Sequence, residues 1–139
     1  MRKSKINISG FKIGTAENRE GLTGVTVILA PDGGATAGVD VRGCAPGTRE
    51  TDLLDPRKTV QKIHAVVLSG GSAFGLEAAS GCVKYLAEQG VGFPIGNVCV
   101  PIVCSAVLFD LMIGDEKAYP DLLMGYEAAK SASSEFLSG

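Results

Sequence analysis

The segment HAVVLSGGSAFGLEAASGCVKYLAEQG, residues 64–90, constrains the fold more than any other part of this chain. Its first part, 64–70, is a continuous apolar run and reads as a strand buried on both faces. A glycine turn follows. The next stretch then sets Leu76, Ala79, Val83 and Leu86 on one side at helical spacing. Lys84 and Glu88 stand four apart on the outer side, and Gly90 suits the position just past a helix end. A strand that enters a helix through such a turn belongs to a sheet covered by helices. The turn leaves three roles open for Ser72: a nucleophile, part of an anion cradle, or the helix cap.

The flanking sequence supplies more of both elements. Residues 6–16 alternate weakly and read as a short strand and a turn. VTVILA (25–30) is a strong β-branched strand. After the turn PDGGAT, residues 37–43 alternate Val39 and Val41 with Asp40 and Arg42, and read as the hairpin partner of 25–30. Residues 44–59 are polar and long for an internal connection, which favours a functional or partner-facing loop. Arg49 and Glu50 are expected to pair or cap within it. Asp55-Pro56 can open a short helix over 56–63. Residues 91–114 are apolar but cut by Pro94 and Pro101, which predicts two short extended pieces, the second over 106–111. Residues 118–133 read as a helix that Pro120 opens, with Asp121 in the first turn and Leu122, Leu123, Tyr126 and Ala129 on its apolar side. The order is a mixed sheet covered by helices, with no internal domain boundary.

Composition narrows the functional classes. Of 139 residues, 45% are hydrophobic and 20% charged, which provides for a packed core; a net charge of −2 gives no electrostatic footprint for nucleic acid. No apolar run reaches the roughly 20 residues a membrane span needs, and no secretory h-region follows MRKSK. A cytoplasmic protein is expected. Cys44, Cys82, Cys99 and Cys104 form no C-x-x-C pair, and Cys99 and Cys104 have no His or acid close by to complete a zinc set, so the four read as free thiols packed as small hydrophobes, and no metal or cofactor is expected.

The hydrolase elbow G-x-S-x-G fits Gly70-Gly71-Ser72 in its first half only, because Phe74 stands where the second glycine belongs. His64 is the single histidine. It opens the strand whose far end carries Ser72, roughly 25 Å away at about 3.3 Å per residue. A Ser-His-Asp triad within the chain is therefore excluded as the working arrangement, and His64 reads as a structural strand-end residue. GGSAFG is neither G-x-G-x-x-G nor a P-loop. Free N–H groups at a helix start still attract negative charge, whether phosphate, carboxylate or oxyanion.

Three stretches together, VRGCAPGTRETDLLDP (41–56), VLSGGSAFGLEAASG (67–81) and VPIVCSAVLFDL (100–111), resemble the L-aminopeptidase/D-esterase family, which includes DmpA-type and β-aminopeptidases and nylon-oligomer hydrolases. The likeness runs from about Ile8 to about Tyr126, and PGTRETDLL is its most specific part. The resemblance implies an α+β fold, an αββα sandwich of the DmpA/ornithine-acetyltransferase type, with residues 1–139 supplying the N-terminal part of the α chain as one domain fragment. It implies a self-processing hydrolase of amide or ester bonds. The nucleophile is then the freed N-terminal Ser or Thr of a partner β chain, its own amino group can serve as base, and no histidine is needed. Processed units are expected to form a homo-oligomer, with no metal or cofactor.

Within such a half-enzyme, Gly70, Gly71, Ser72 and Phe74 are expected to form a substrate-facing turn, with Phe74 as an apolar wall. Val103 and Cys104 are candidates to offer backbone N–H groups to a reacting carbonyl. Asp110, polar in an apolar strand, is a candidate to orient a neighbour or bind a substrate amine. The competing readings are a non-catalytic small-anion-binding module built on the turn at 70–75 and a structural member of an assembly that has lost activity.

Overall fold

The structure is a computed structural model that describes residues 2–138. In chain order the elements are β1 (Arg2–Lys5), β2 (Lys12–Asn18), β3 (Thr23–Leu29), β4 (Thr48–Arg49), β5 (Ala65–Ser69), α1 (Ala78–Glu88), β6 (Phe93–Ile95), β7 (Val98–Val100), β8 (Val103–Val107), α2 (Leu122–Lys130) and β9 (Glu135–Ser138). Short 3-10 helices lie over Asp52–Leu54 and Ser72–Glu77. Five strands form one mixed sheet in the order β2-β3-β5-β8-β4. Only the β5–β8 pair is parallel, joined by the crossover through α1. β1 pairs with β9, and β6 with β7, as separate ribbons.

Both helices lie on one face of the sheet. Val25, Val27 and Leu29 of β3 and Ala65 and Val67 of β5 point towards them and are buried with Ala78, Ala79, Cys82 and Leu86 of α1 and Ala128 and Ala129 of α2. Alternation along the strands sends Thr26, Ile28, Val66 and Leu68 to the other face. No helix covers that face among the described residues, and Leu68 is 46% exposed. β9 reaches its rim, where Thr15 Oγ1 donates to the Leu137 carbonyl at 3.0 Å. Among the described residues no helix is long and apolar enough to cross a membrane.

The helices approach until backbones touch. A β-carbon on Gly81 would fall 1.9 Å from the Leu122 carbonyl oxygen, and one on Gly14 1.9 Å from that of Ala128. This explains why the buried side of α2 is Gly125, Ala128 and Ala129, whereas the larger Leu123 is 63% exposed and Leu122 and Tyr126 are half-buried. The helix is also shorter than 118–133. Asp121 caps it, Oδ1 accepting from the Met124 N–H at 2.8 Å, so it stands before the first turn. On α1 three of the four expected positions hold, with Ala79 and Leu86 buried and Val83 packed against the core, whereas Leu76 falls in the preceding 3-10 helix and is half-buried. Lys84 and Glu88 do not pair directly. Tyr126 of α2 lies between them, its hydroxyl donating to Glu88 Oε2 at 2.7 Å while Lys84 Nζ stands 5.7 Å from the ring centre. Gly90 follows the helix end at φ +68°.

Three expected elements differ. The partner of β3 is the preceding strand β2, in register from Lys12↔Leu29 to Asn18↔Thr23. Because β5 occupies the other edge of β3, no edge remains for 37–43, which carry no strand and leave Val39 and Val41 nearly half exposed. Residues 56–63 are not helical. Asp55 turns its carboxylate back onto the Arg57 backbone N–H and guanidinium, and Arg57 holds that carboxyl at about 2. Ile63 is then drawn out into a bridge with Ala35. The strand expected at 106–111 lies at Val103–Val107, aligned with β5 from Ala65↔Val103 to Ser69↔Val107, and the chain leaves the sheet at Leu108. Arg49 does not pair with Glu50. It reaches from β4 to α1, where Nη1 donates to Ser80 Oγ at 2.7 Å. Of the thiols, Cys82 and Cys104 are buried as expected, whereas Cys44 and Cys99 are exposed.

Candidate active-site cleft

At the C-terminal end of β5 the chain folds back on itself. The Gly70 N–H donates to the Gly24 carbonyl at 2.9 Å, tying the turn to β3. Gly71 takes φ +81°. Ser72 follows at φ +52°, a left-handed conformation that side chains other than glycine adopt only under constraint. The glycine spacing is steric in origin. A β-carbon on Gly75 would meet the Gly70 carbonyl oxygen at 1.8 Å, and one on Gly70 would meet Asp110 Oδ2 at 2.1 Å. The motif that resembles a serine elbow is thus a turn compressed against its own helix and against Asp110.

Ser72 does not cap the helix. Gly71 holds the cap position and no side chain bonds there. Nor is the turn an open anion cradle. The Gly71 N–H donates to Asp110 Oδ1 at 2.6 Å and the Ser72 N–H to the Leu108 carbonyl at 3.0 Å. The negative charge that glycine N–H groups attract is supplied by the protein itself. Asp110 Oδ2 meanwhile accepts from Thr23 Oγ1 at 2.8 Å.

Beside this junction opens a cleft of about 570 Å³, lined among others by Thr15, Leu22, Leu68, Gly70, Leu108 and Asp110. Leu22 and Leu108, 58% and 62% exposed, give the cleft apolar lining beside the polar Thr15, Thr23 and Asp110 and the Glu17–Arg19 ion pair. Gly70 and Asp110 line the cleft, and Gly71 joins through its hydrogen bond. Ser72, in the same turn, is half-buried and does not line the cleft. Phe74 stacks on Tyr119, ring centres 4.9 Å apart, and forms an exposed apolar shoulder beside the turn.

Val103 and Cys104 lie elsewhere. They open β8, opposite Ala65 and Val66, and are buried in the sheet. That is the other end of the β5–β8 pair, about 13–16 Å of strand from Gly70. The Cys104 thiol donates to the Glu50 carbonyl at 3.3 Å, and burial, with the Glu50 charge adding to it, pushes its pKa up to about 11. His64 sits at that same far end. Its Nδ1 accepts the Ile102 N–H at 3.1 Å, and burial holds its pKa below the ordinary value, so the ring is a neutral strand tie. Thr23, Leu22 and Leu108 also line the cleft. Residue type alone does not mark them, and Thr23 lies 87 residues from Asp110.

Comparisons with known proteins give the family and the fold. An uncharacterized aminopeptidase of Mycobacterium leprae is 50% identical over 109 residues, 78% of this chain and 30% of that protein. A 6-aminohexanoate-oligomer endohydrolase of Kocuria sp. is 35% identical over 128 residues, 92% of this chain and 33% of that protein. The chain thus spans about a third of the length of these curated relatives. Among solved structures, a Burkholderia sp. beta-aminopeptidase superposes with a TM-score of 0.64 at 17% identity, over 91% of this chain and 37% of that one. An ornithine acetyltransferase of Mycobacterium tuberculosis gives 0.55 at 14%, over 96% and 76%. The fold is therefore α+β, of the type these two structures share. With the profile of peptidase family S58 matching residues 5–139, the chain belongs to peptidase family S58.

Proposed function

We propose that this chain is the α-chain portion of a self-processing aminopeptidase or amidase, which hydrolyses N-terminal amide or ester bonds with a Ser or Thr nucleophile carried on a partner β chain. The observation that carries the reading is the uncovered sheet face with the cleft at its edge. Thr26, Ile28, Val66 and Leu68 form a surface of the kind a second sheet covers, and the cleft opens where that layer would meet Gly70 and Asp110. The single histidine is at the far end of β5, and no side chain among the described residues bonds to the Ser72 hydroxyl as a base would, so a nucleophile from outside the chain fits the arrangement. Gly70 lines the cleft where a substrate would lie, and Phe74 stacked on Tyr119 flanks the turn. Oligomers of processed units belong to the same reading.

The test is the mass of the purified product of the complete gene, paired with amide hydrolysis. The expected result is a second fragment beginning with Ser or Thr that copurifies with this chain, and an Ser72→Ala variant that loses less than about tenfold in kcat. A single uncut chain with full activity, or a loss beyond about a thousandfold in Ser72→Ala, the size expected for a nucleophile, overturns it.

A further inference from the structure

We propose that Asp110 is a positioning residue, a two-ended clip whose outline rather than whose charge the cleft requires. The inference rests on the cleft being the substrate site proposed above. One end of the carboxylate takes the Gly71 N–H at 2.6 Å, and the other takes the Thr23 hydroxyl at 2.8 Å. These donors are far apart in sequence, Thr23 at the start of β3 directly after the β2–β3 turn and Gly71 in the turn after β5, so a single side chain ties the two together at the cleft. Each turn holds a non-glycine residue in the left-handed region directly beside the clipped one: Leu22 at φ +54° next to Thr23, and Ser72 at φ +52° next to Gly71. Backbone of that kind persists where its surroundings over-determine it. The clip has little slack. The carboxylate lies flat on Gly70, where a β-carbon would stand 2.1 Å from Oδ2 and 2.4 Å from Thr23 Oγ1. Its own loop is pinned as well, because the Leu108 N–H donates to the Ser69 carbonyl, the Ser72 N–H to that of Leu108, and the Ile113 N–H to that of Asp110.

This geometry separates two roles that the sequence leaves together. A receptor for a substrate ammonium group needs the negative charge. A clip needs an acceptor towards Gly71 and any hydrogen-bonding partner for Thr23, whose hydroxyl rotates. Asparagine supplies both, with Oδ1 accepting from Gly71 and Nδ2 donating to Thr23 Oγ1. Alanine supplies neither.

The experiment compares Asp110→Asn, Asp110→Ala and Thr23→Val in the protein expressed from its complete gene. It reads kcat and KM on amide substrates with and without a free ammonium group, together with hydrogen exchange at the Gly71 amide. Asp110→Asn is expected to stay within about threefold of wild type on both substrate types. Asp110→Ala is expected to lose about 10- to 100-fold, in kcat more than in KM, as for a misplaced site. Exchange at Gly71 should quicken about tenfold or more in Asp110→Ala and not in Asp110→Asn, in line with a lost charge-assisted bond. Should Asp110→Ala fail to fold, Thr23→Val, which removes one end only, is expected to lower kcat with KM nearly unchanged. The proposal is overturned if Asp110→Asn falls as far as Asp110→Ala, if its loss is confined to ammonium-bearing substrates, or if Gly71 exchange ignores the removal of the carboxylate. A wild-type protein with no amide hydrolysis at all would remove the proposed function, and the exchange comparison would still decide the clip.

Discussion

Gly125→Ala sets two well-known effects against each other, and the structure decides between them. In an isolated helix the change is favourable by about 1 kcal/mol, because alanine loses less backbone freedom. Here a β-carbon at 125 would stand 1.9 Å from the Ala78 carbonyl oxygen and 2.6 Å from its carbon. An ordinary carbon–oxygen contact is about 3.3 Å, so α2 has to move away from α1 by about 1.4 Å. The obstacle is backbone, which cannot rotate aside. Ala78, Ala79, Ala128 and Ala129, all 0% exposed, would lose their packing together. Overpacking costs about 1–3 kcal/mol, and a backbone-to-backbone contact places this case at the upper end, leaving a net loss of about 2 kcal/mol after the propensity gain. Urea unfolding of the complete protein should show a midpoint about 1 M lower, taking a slope of about 2 kcal/mol per molar. Gly38→Ala, where nothing lies within 4 Å, is the control and should stay within about 0.5 kcal/mol. A Gly125→Ala midpoint at or above wild type would refute the close approach of the helices.

The buried groups give further tests. Burial lowers the pKa of folded His64, so below about pH 6.5 the unfolded chain takes up the proton first. Stability should therefore fall as pH drops from about 6.5, levelling once the folded ring protonates. His64→Asn, whose Oδ1 can accept the Ile102 N–H, should flatten that part of the curve; unfolding midpoints between about pH 5 and 7.5 that fall equally in both proteins would exclude His64 as the cause. Burial also raises the Cys82 thiol to about 12 and Cys104 to about 11, whereas Cys44 and Cys99 are exposed. At about pH 8 an alkylating reagent should label the second pair in the native protein and the first only after denaturation, as read by peptide mass; rapid native labelling of Cys82 would contradict its place in the core.

The strand, turn and helix at 64–90 were legible because the information is local. The apolar run, the glycines and the helical spacing lie within one stretch, and Gly90 marks its end. Residues 37–43 carry an equally clean alternation, yet form no strand, because whether β3 has a free edge is settled by β2 and β5. The buried side of α2 departs from expectation for a related reason. Size favoured Leu123 and Tyr126, but the contact is set by how near α1 comes, and only glycine and alanine fit. At the cleft, Gly70 and Asp110 were readable as unusual residues in their surroundings. Their junction with Thr23 was not, because nothing in residue type links positions 87 apart. Val103 and Cys104 were placed by their nearness in sequence to Pro101, and the parallel alignment with β5 puts them at the opposite end.

The pairing of β1 with β9 has a consequence for the order of folding. Bringing together segments about 130 residues apart in an otherwise open chain costs roughly 4 kcal/mol of loop entropy. The side chains of β1 are mostly exposed, so little burial offsets that loss. Once β2 and α2 are in place, only short connections remain on either side, and the same pairing closes almost free of that penalty. The ribbon is thus a late step that follows the core. Its amides should exchange with solvent well before those of β3 and β5, and the rim of the cleft at Leu137 is completed only when the rest has folded.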